Sequence, residues 1–92
     1  MFLLIRGKKF MYKAKICVTL KTTVNDPEGF TINRAIGRLG FKKITSLRAG
    51  KYFEMIIDND DEESVKKTTD SICSELLSNP VIEIYNFTVE KI

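Results

Sequence analysis

The end of the chain is the feature that most constrains its fold. After a helix-terminating Asn79-Pro80, the segment VIEIYNFTVEKI predicts a strand. Its apolar side chains fall on both faces, with Val81, Tyr85, Phe87 and Val89 on one and Ile82 and Ile84 on the other. Such a strand is ordinary in the middle of a large α/β sheet. In a chain of only 92 residues, one face of this final strand lacks an obvious covering element. That second apolar face therefore needs another structural element or another chain to cover it.

The positive charge of the chain lies at its beginning. Residues 1–10 carry Arg6, Lys8 and Lys9 without an acid, and the twelve remaining Lys and Arg equal the twelve Asp and Glu in number. Binding nucleic acid requires a net basic face that neutralises phosphates. The neutral charge of residues 11–92 therefore argues against nucleic acid as a partner.

The same ten residues predict neither a signal peptide nor a membrane span. The apolar run at 1–5 is short for a secretory signal and precedes its charges, and no segment approaches the roughly 20 apolar residues that cross a bilayer. We predict an extension at 1–10, one domain at 11–92 and no membrane contact. Cys17 and Cys73 lack CxxC spacing, so we expect reduced thiols and a cytoplasmic protein.

The first half of the domain predicts a strand and a helix. YKAKICVTLK alternates with a period of two, which is typical of a strand with one buried face. Asp26 is a good N-cap, and Pro27 suits the first helical position. The helix ends at Gly40, and its apolar stripe consists of Phe30, Ala35, Ile36 and Leu39.

The second half predicts two strands, a helix and the final strand. KKITSLRAGKYFEMIID favours two strands joined near residues 49–51, the second with Phe53, Met55 and Ile57 on one face. DNDDEESVKKTTDSICSELLS favours a helix with acids in its first turn. The apolar stripe of this helix consists of Val65, Ile72, Cys73, Leu76 and Leu77.

The resulting order, β-α-β-β-α-β, predicts an α+β ferredoxin-like two-layer sandwich. Its antiparallel sheet has the first and third strands at its centre and both helices on one face. The final strand is then an edge with an uncovered apolar face. We expect assembly with another chain to cover it.

No catalytic, cofactor or metal site is predicted. The chain has no histidine, and neither cysteine has a local base. The acidic run 58–63 begins like a calcium-binding EF-hand loop but has Glu63 where that loop needs glycine, so helix capping is the favoured interpretation. The start of the first helix, at DPEG, could hold an anion, but it lacks a Gly-rich phosphate loop.

Three other functions remain open to different degrees. The same topology occurs in RNA-recognition domains, but RAGKYFEM has Lys51 where their motif needs an aromatic residue. An enzyme of acylphosphatase type would need an arginine in the loop after the first strand, and KTTVNDPEG has none. A regulatory module that binds a small ligand between protomers is harder to exclude.

Four short segments, in this order and spacing, carry a resemblance to a known family. The segments MYKAKICVTLK, DPEG, GKYFEM and LLSNPVIEIYNF resemble PurS, the small subunit of phosphoribosylformylglycinamidine synthase in purine biosynthesis. The likeness runs from about Met11 to Glu90 and implies a PurS-like fold. It also implies a required subunit of a ligase complex that has no catalytic residues of its own.

The resemblance further implies partners. In such complexes a glutaminase subunit releases ammonia from glutamine, and a large synthetase subunit uses ATP and magnesium. The PurS-like subunit, as a homodimer or a dimer of dimers, bridges the two. On this basis we expect partner contacts at Arg48, Lys51, Tyr52 and Glu54. We expect subunit contacts along the final strand, at Ile82, Glu83, Ile84, Tyr85 and Phe87.

Overall fold

The computed structural model of the chain describes residues 10–92. Its elements are β1 (Met11–Leu20), α1 (Pro27–Arg38), β2 (Gly50–Asp58), α2 (Glu62–Ile72), a π-helical turn that continues α2 (Cys73–Leu77) and β3 (Glu83–Lys91). The extension predicted at 1–10 lies outside the described residues, apart from Phe10. Within the described part, neither helix has the length and apolar content that crossing a membrane requires.

The strands form one antiparallel sheet in the order β2-β1-β3. The central strand β1 pairs with β2 along one edge and with β3 along the other, so that Ile16 lies opposite Phe53 and Phe87. This sheet with its helices confirms the predicted α+β class.

The core lies between one face of the sheet and α2. The alternation predicted for β1 is confirmed, since Tyr12, Ala14, Ile16 and Val18 are buried and the intervening side chains are not. The helix α2 contributes the buried side chains of Val65 and Thr69, and the π-helical turn contributes that of Cys73. The half-buried apolar side chains around this core belong to Phe53, Met55, Leu77, Tyr85, Phe87 and Val89.

Two of the buried side chains on the α2 side, those of Thr69 and Cys73, carry polar or titratable groups. Thr69 has no exposed surface, and its hydroxyl donates a hydrogen bond of 2.8 Å to the Val65 carbonyl oxygen, which offsets the cost of burying a polar group. The expected burial of Cys73 is confirmed, and this burial raises the pKa of its thiol. Leu76, by contrast, was expected in the core stripe and is exposed, because the π-helical turn changes the helical spacing at this point.

The structure differs from the sequence expectation on one side of the sheet. The strand predicted before residue 49 is not formed, because residues 41–49 have no regular secondary structure within the chain. As a result β2, the predicted central third strand, lies at an edge. The helix α1 also does not pack on the sheet, and Gly29 is its only buried residue. An amphipathic pattern predicts that a helix has an apolar face but does not identify what covers that face.

The final strand also begins later than predicted. Asn79 forms a turn in which its side-chain oxygen accepts a hydrogen bond from the Val81 amide and its carbonyl oxygen accepts from Ile82 and Glu83. Val81 therefore precedes β3, and its side chain is 77% exposed instead of facing the core.

Candidate functional site: the open face of the sheet

The face of the sheet opposite α2 is here called the open face. Among the described residues no helix covers it. It consists of alternate residues of the three strands, namely Lys13, Lys15, Cys17, Thr19, Tyr52, Glu54, Ile56, Ile84, Asn86, Thr88 and Glu90. Cys17 is exposed on this face.

A network of charged side chains crosses the open face. The Lys15 ammonium lies 2.8 Å from the Glu90 carboxylate, and the Lys13 ammonium lies 3.7 Å from that of Glu54. The Tyr52 hydroxyl donates a hydrogen bond of 2.8 Å to Glu54. Pairs exposed to water contribute little to stability. These contacts nevertheless hold the charged side chains and the Tyr52 hydroxyl in defined positions on the open face.

These contacts shift the pKa of three groups. The hydrogen bond and charge of the partner raise the pKa of Lys15 and lower that of Glu90. The hydrogen bond to Glu54 raises the pKa of the Tyr52 hydroxyl. Around neutral pH Lys15 therefore stays an ammonium group, Glu90 an ionised carboxylate and Tyr52 a protonated phenol, which suits electrostatic recognition rather than proton transfer.

One end of the open face is apolar. Ile84 lies opposite Thr19 and Tyr52 lies opposite Cys17 in the ladders, while Ile82 is exposed just before β3. The open face thus combines a charged part with an apolar part, which is the composition of a protein contact surface.

The other predicted contact residues lie elsewhere. Tyr85 and Phe87 lie on the face that α2 covers, with ring centroids 6.5 Å apart and an interplanar angle of 14°. The Tyr85 hydroxyl donates a hydrogen bond of 2.6 Å to Asp70, which raises the pKa of Tyr85. Glu83 accepts a hydrogen bond of 2.7 Å from the Asn79 amide. Their part in subunit contacts stays a prediction.

Arg48 and Lys51 lie at the end of the sheet where α1 begins. The Arg48 guanidinium donates hydrogen bonds of 3.0 Å to the Lys21 carbonyl and 3.2 Å to the Val24 carbonyl. These contacts give Arg48 a structural role in holding the loop after β1. Lys51 is exposed at the start of β2 and lines a cavity of about 140 Å³. This volume is below the roughly 300 Å³ that small-molecule sites usually need.

Asp26 joins this loop to the start of α1, as its predicted N-cap role requires. One carboxylate oxygen accepts a hydrogen bond of 3.0 Å from the Gly29 amide, which confirms the cap. The other oxygen accepts one of 2.7 Å from the Ala49 amide. These two bonds lower the pKa of Asp26. The sequence predicted the first of these bonds but not the second, although DPEG and GKYFEM, which Ala49 directly precedes, both carry the family resemblance.

Two glycines complete this joint because the backbone comes too close for a side chain. A Cβ atom on Gly29 would collide with the Asp26 carboxylate and lie 2.9 Å from the Leu47 carbonyl oxygen. A Cβ atom on Gly50 would lie 2.7 Å from both the Val18 carbonyl oxygen and the Thr19 methyl group. Glycine is therefore required at both positions for packing.

The acidic run before α2 forms a helix start. Asn59 accepts a hydrogen bond of 2.8 Å from the Asp61 amide. Asp61 occupies the N-cap position without a side-chain capping bond, and Glu62 and Glu63 lie in the first turn. The predicted interaction with the helix dipole is consistent with these positions, whereas side-chain capping by an acid is absent. Within residues 10–92, no three acidic or cysteine side chains cluster as metal ligands.

Within residues 10–92, the fold and the open face together define a small α+β domain that leaves one face of its three-stranded sheet uncovered. Residues 13–91 match the family model of PurS, described as phosphoribosylformylglycinamidine (FGAM) synthase. The chain belongs to this PurS family.

Individual relatives agree with this assignment. The chain is 43% identical to phosphoribosylformylglycinamidine synthase subunit PurS of Methanocaldococcus jannaschii, over 89% of this chain and 99% of that protein. It is 35% identical to the Bacillus subtilis subunit, over 89% and 96%. The crystal structure of M. jannaschii PurS superposes with a TM-score of 0.80 at 42% identity, covering 88% of this chain and 98% of that one.

A further solved structure comes from an assembly. A chain of the structure of PurLQS from Thermotoga maritima superposes with a TM-score of 0.78 at 30% identity. The match covers 89% of this chain and 98% of that chain. The ferredoxin-like α+β fold of the family is thus shared over nearly the whole described domain.

Proposed function

We propose that this chain is the small, non-catalytic subunit of a phosphoribosylformylglycinamidine synthase in purine biosynthesis, where it bridges the glutaminase and synthetase subunits. The observation that carries this proposal is the similarity to a chain of the T. maritima PurLQS structure, at 30% identity and over 98% of that chain. The open face, with its charged network and apolar end, supports a role in contact between proteins.

The proposed reaction is divided among subunits. The glutaminase subunit releases ammonia from glutamine, and the synthetase subunit uses ATP and magnesium to activate the amide oxygen of formylglycinamide ribonucleotide. Ammonia then attacks the activated carbon, the carbon–oxygen bond breaks, and the activated oxygen leaves as phosphate to give the amidine. This chain supplies no reacting group and needs no cofactor of its own. It supports ammonia transfer by holding the two larger subunits in productive contact.

The proposal includes self-association and location. The chain forms a homodimer or a dimer of dimers, and it acts in the cytoplasm without binding nucleic acid or membranes. Two free cysteines agree with a reducing compartment. The balanced charge of residues 11–92 is the argument against nucleic acid.

Reconstitution tests the bridging role. Glutamine-dependent amidine synthesis by the two larger subunits is measured with and without this chain, together with ammonia-dependent synthesis. We expect the chain to raise the glutamine-dependent rate and to leave the ammonia-dependent rate nearly unchanged. A chain that neither binds nor activates the larger subunits would contradict the proposal. Thermal stabilisation by a metabolite would then favour a ligand-binding regulatory module.

Charge reversal locates the partner surface. Lys51→Glu and Glu54→Lys change exposed charges at the proposed contact, whereas Lys67→Glu changes an exposed charge on α2 and serves as the control. We expect the first two to weaken binding of the larger subunits about tenfold or more, since like charges across an interface cost several kcal/mol. Circular dichroism checks that each variant is folded. Normal binding by both variants would remove Lys51 and Glu54 from the contact.

A further inference from the structure

The helix α2 changes its hydrogen-bonding pattern where it leaves the core. It is a regular α-helix up to Ile72, and Cys73–Leu77 then form the π-helical turn. At the end of this turn the Ser78 amide donates a hydrogen bond of 3.0 Å to the Cys73 carbonyl oxygen, five residues before it. Turns of this kind are rare and occur frequently at functional sites. The turn therefore calls for a reason beyond the packing of the helix.

The π-helical turn decides which of two adjacent leucines contacts the core. Leu77 is half-buried and packs against the core, whereas Leu76 is 77% exposed. In a regular α-helix Leu76 would lie seven residues after Thr69 and eleven after Val65, on the face of these two buried residues. Leu77 would then lie about 100° further round the helix. An α-helical turn would therefore bring Leu76 to the core and turn Leu77 away from it.

The two arrangements place the same kind of side chain in the core. We call them the π register, with Leu77 in the core and Leu76 exposed, and the α register, with the two leucines exchanged. In either register the core receives one leucine and the surface receives the other. Exchanges that conserve volume cost little in a packed core. The balance between the registers therefore depends mainly on the hydrogen bonds at the end of the turn.

Ser78 supplies hydrogen bonds that favour the π register. Its hydroxyl donates one of 2.8 Å to the Cys73 carbonyl oxygen, which also accepts from its amide. In the α register this carbonyl would accept from the Leu77 amide instead, since α-helical hydrogen bonds join residues four apart. The Ser78 hydroxyl would then lose its partner. The side chain of Ser78 thus distinguishes the two registers.

We propose that the last turn of α2 is a two-state element, in which the leucines at 76 and 77 exchange places between core and surface and the Ser78 hydroxyl favours the π register. The exchange replaces one exposed leucine by the other and leaves the strands of the sheet in place. A protein that binds Leu76 shifts the population to the π register, because a ligand favours the state that it binds better. The inference concerns this chain alone and goes beyond the bridging function.

A double-mutant cycle tests the exchange of the leucines. Leu77→Ala leaves a space in the core that Leu76 fills in the α register, and Leu76→Ala removes an exposed side chain. We therefore expect each single variant to raise the equilibrium constant of unfolding only slightly, as measured with urea. The double variant keeps neither leucine, and we expect its effect to exceed the product of the single effects about fivefold or more. Multiplicative effects, or a Leu76 methyl group without core contacts in the NMR spectrum of Leu77→Ala, would overturn the two-state element.

Removing the Ser78 hydroxyl tests its role without a change in the core. Ser78→Ala removes the donor to the Cys73 carbonyl, and Ser74→Ala removes a hydroxyl that donates a hydrogen bond of 3.3 Å to the Ser71 carbonyl from the same turn. We expect Ser78→Ala to raise the ratio of the α to the π register about fivefold, the effect of one typical hydrogen bond, and Ser74→Ala to leave it unchanged. Methyl contacts and relaxation dispersion of the two leucines, measured by NMR, report this ratio.

The outcomes for the serine variants are separate from those for the bridging role. Leucine contacts that are unchanged in Ser78→Ala, or changed equally in Ser74→Ala, would overturn the two-state element. Both experiments use this chain alone. Activation of the larger subunits by a chain that fails them would therefore overturn the two-state element and leave the bridging role intact.

Discussion

Two regions of the molecule differ in how they satisfy similar sequence patterns. One is the sheet with α2, here called the body, and the other is residues 27–49, here called the arm, which contain α1 and the segment after it. The stripe of α2 and the alternation of β1 are buried against each other, so Ile16, Val65 and Cys73 have no exposed surface. The stripe of α1 is just as regular, yet Phe30 and Leu39 are mostly exposed. An amphipathic pattern therefore specifies that a face is apolar, whereas tertiary contacts decide whether the same chain covers it.

The largest difference between the two regions is expected on truncation of their apolar side chains. Ile16→Ala removes a fully buried side chain between Phe53 and Phe87 and is expected to lower the free energy of unfolding by about 2–5 kcal/mol. Phe30→Ala, in the arm, is expected to change it by less than about 0.5 kcal/mol in a dilute monomeric chain. Urea unfolding at low protein concentration measures both. An equal loss for Phe30→Ala would mean that the arm packs within its own chain.

The joint between the two regions is expected to give an intermediate effect. Arg48→Met keeps the length of the side chain but removes the hydrogen bonds to the Lys21 and Val24 carbonyls, so we expect a loss of about 1–2 kcal/mol. Hydrogen exchange in residues 20–26 should increase, while exchange in β1 stays unchanged. Lys67→Met on α2 is the control. Unchanged exchange in this loop would leave Arg48 available for the partner contact that the family resemblance implies.

A smaller effect is expected from a polar group inside the body. Thr69→Val keeps the shape of the side chain but removes the hydroxyl that donates to the Val65 carbonyl, so we expect a loss of about 1 kcal/mol or less. Thr68→Val changes the neighbouring exposed threonine and controls for helix propensity. Thermal unfolding compares the two. If Thr69→Val instead stabilises the protein, the hydrogen bond to Val65 contributes less free energy than removing the hydroxyl from water costs.

The sequence predicted the parts that depend on local rules. The alternation in YKAKICVTLK, the Asp26-Pro27 helix start and the core position of Cys73 follow from strand period, capping and helical spacing, and all three are confirmed. The exposure of α1, the lack of a strand at residues 41–49 and the Asp26–Ala49 hydrogen bond depend on contacts between parts of the molecule that are distant in sequence. Periodicity carries no information about such contacts. The burial of Thr69 could not be predicted either, because it is a polar residue within the polar segment KKTTDS.

The smallest expected effect on the free energy of unfolding comes from Asp26, where α1 joins the sheet, and it depends on pH. Hydrogen bonds from Gly29 and Ala49 hold the pKa of Asp26 below its ordinary value of 3.8, so the unfolded chain binds a proton at a higher pH than the folded chain does. The stabilisation from this carboxylate is therefore complete above about pH 5 and is lost as the pH falls through the lowered pKa. Asp26→Asn offers a single acceptor oxygen and turns an amide donor toward one of the two backbone amides.

We expect wild type to be more stable than Asp26→Asn near pH 7 and the two to converge on acidification below about pH 4. Urea unfolding at several pH values measures the difference, with Glu75→Gln as a control that removes a carboxylate charge from the π-helical turn. If the difference in free energy of unfolding between the two proteins stays constant down to the lowest pH at which they fold, the charge of Asp26 is not what holds the arm to the body. The attachment of α1 to the sheet through Asp26 would then be independent of pH.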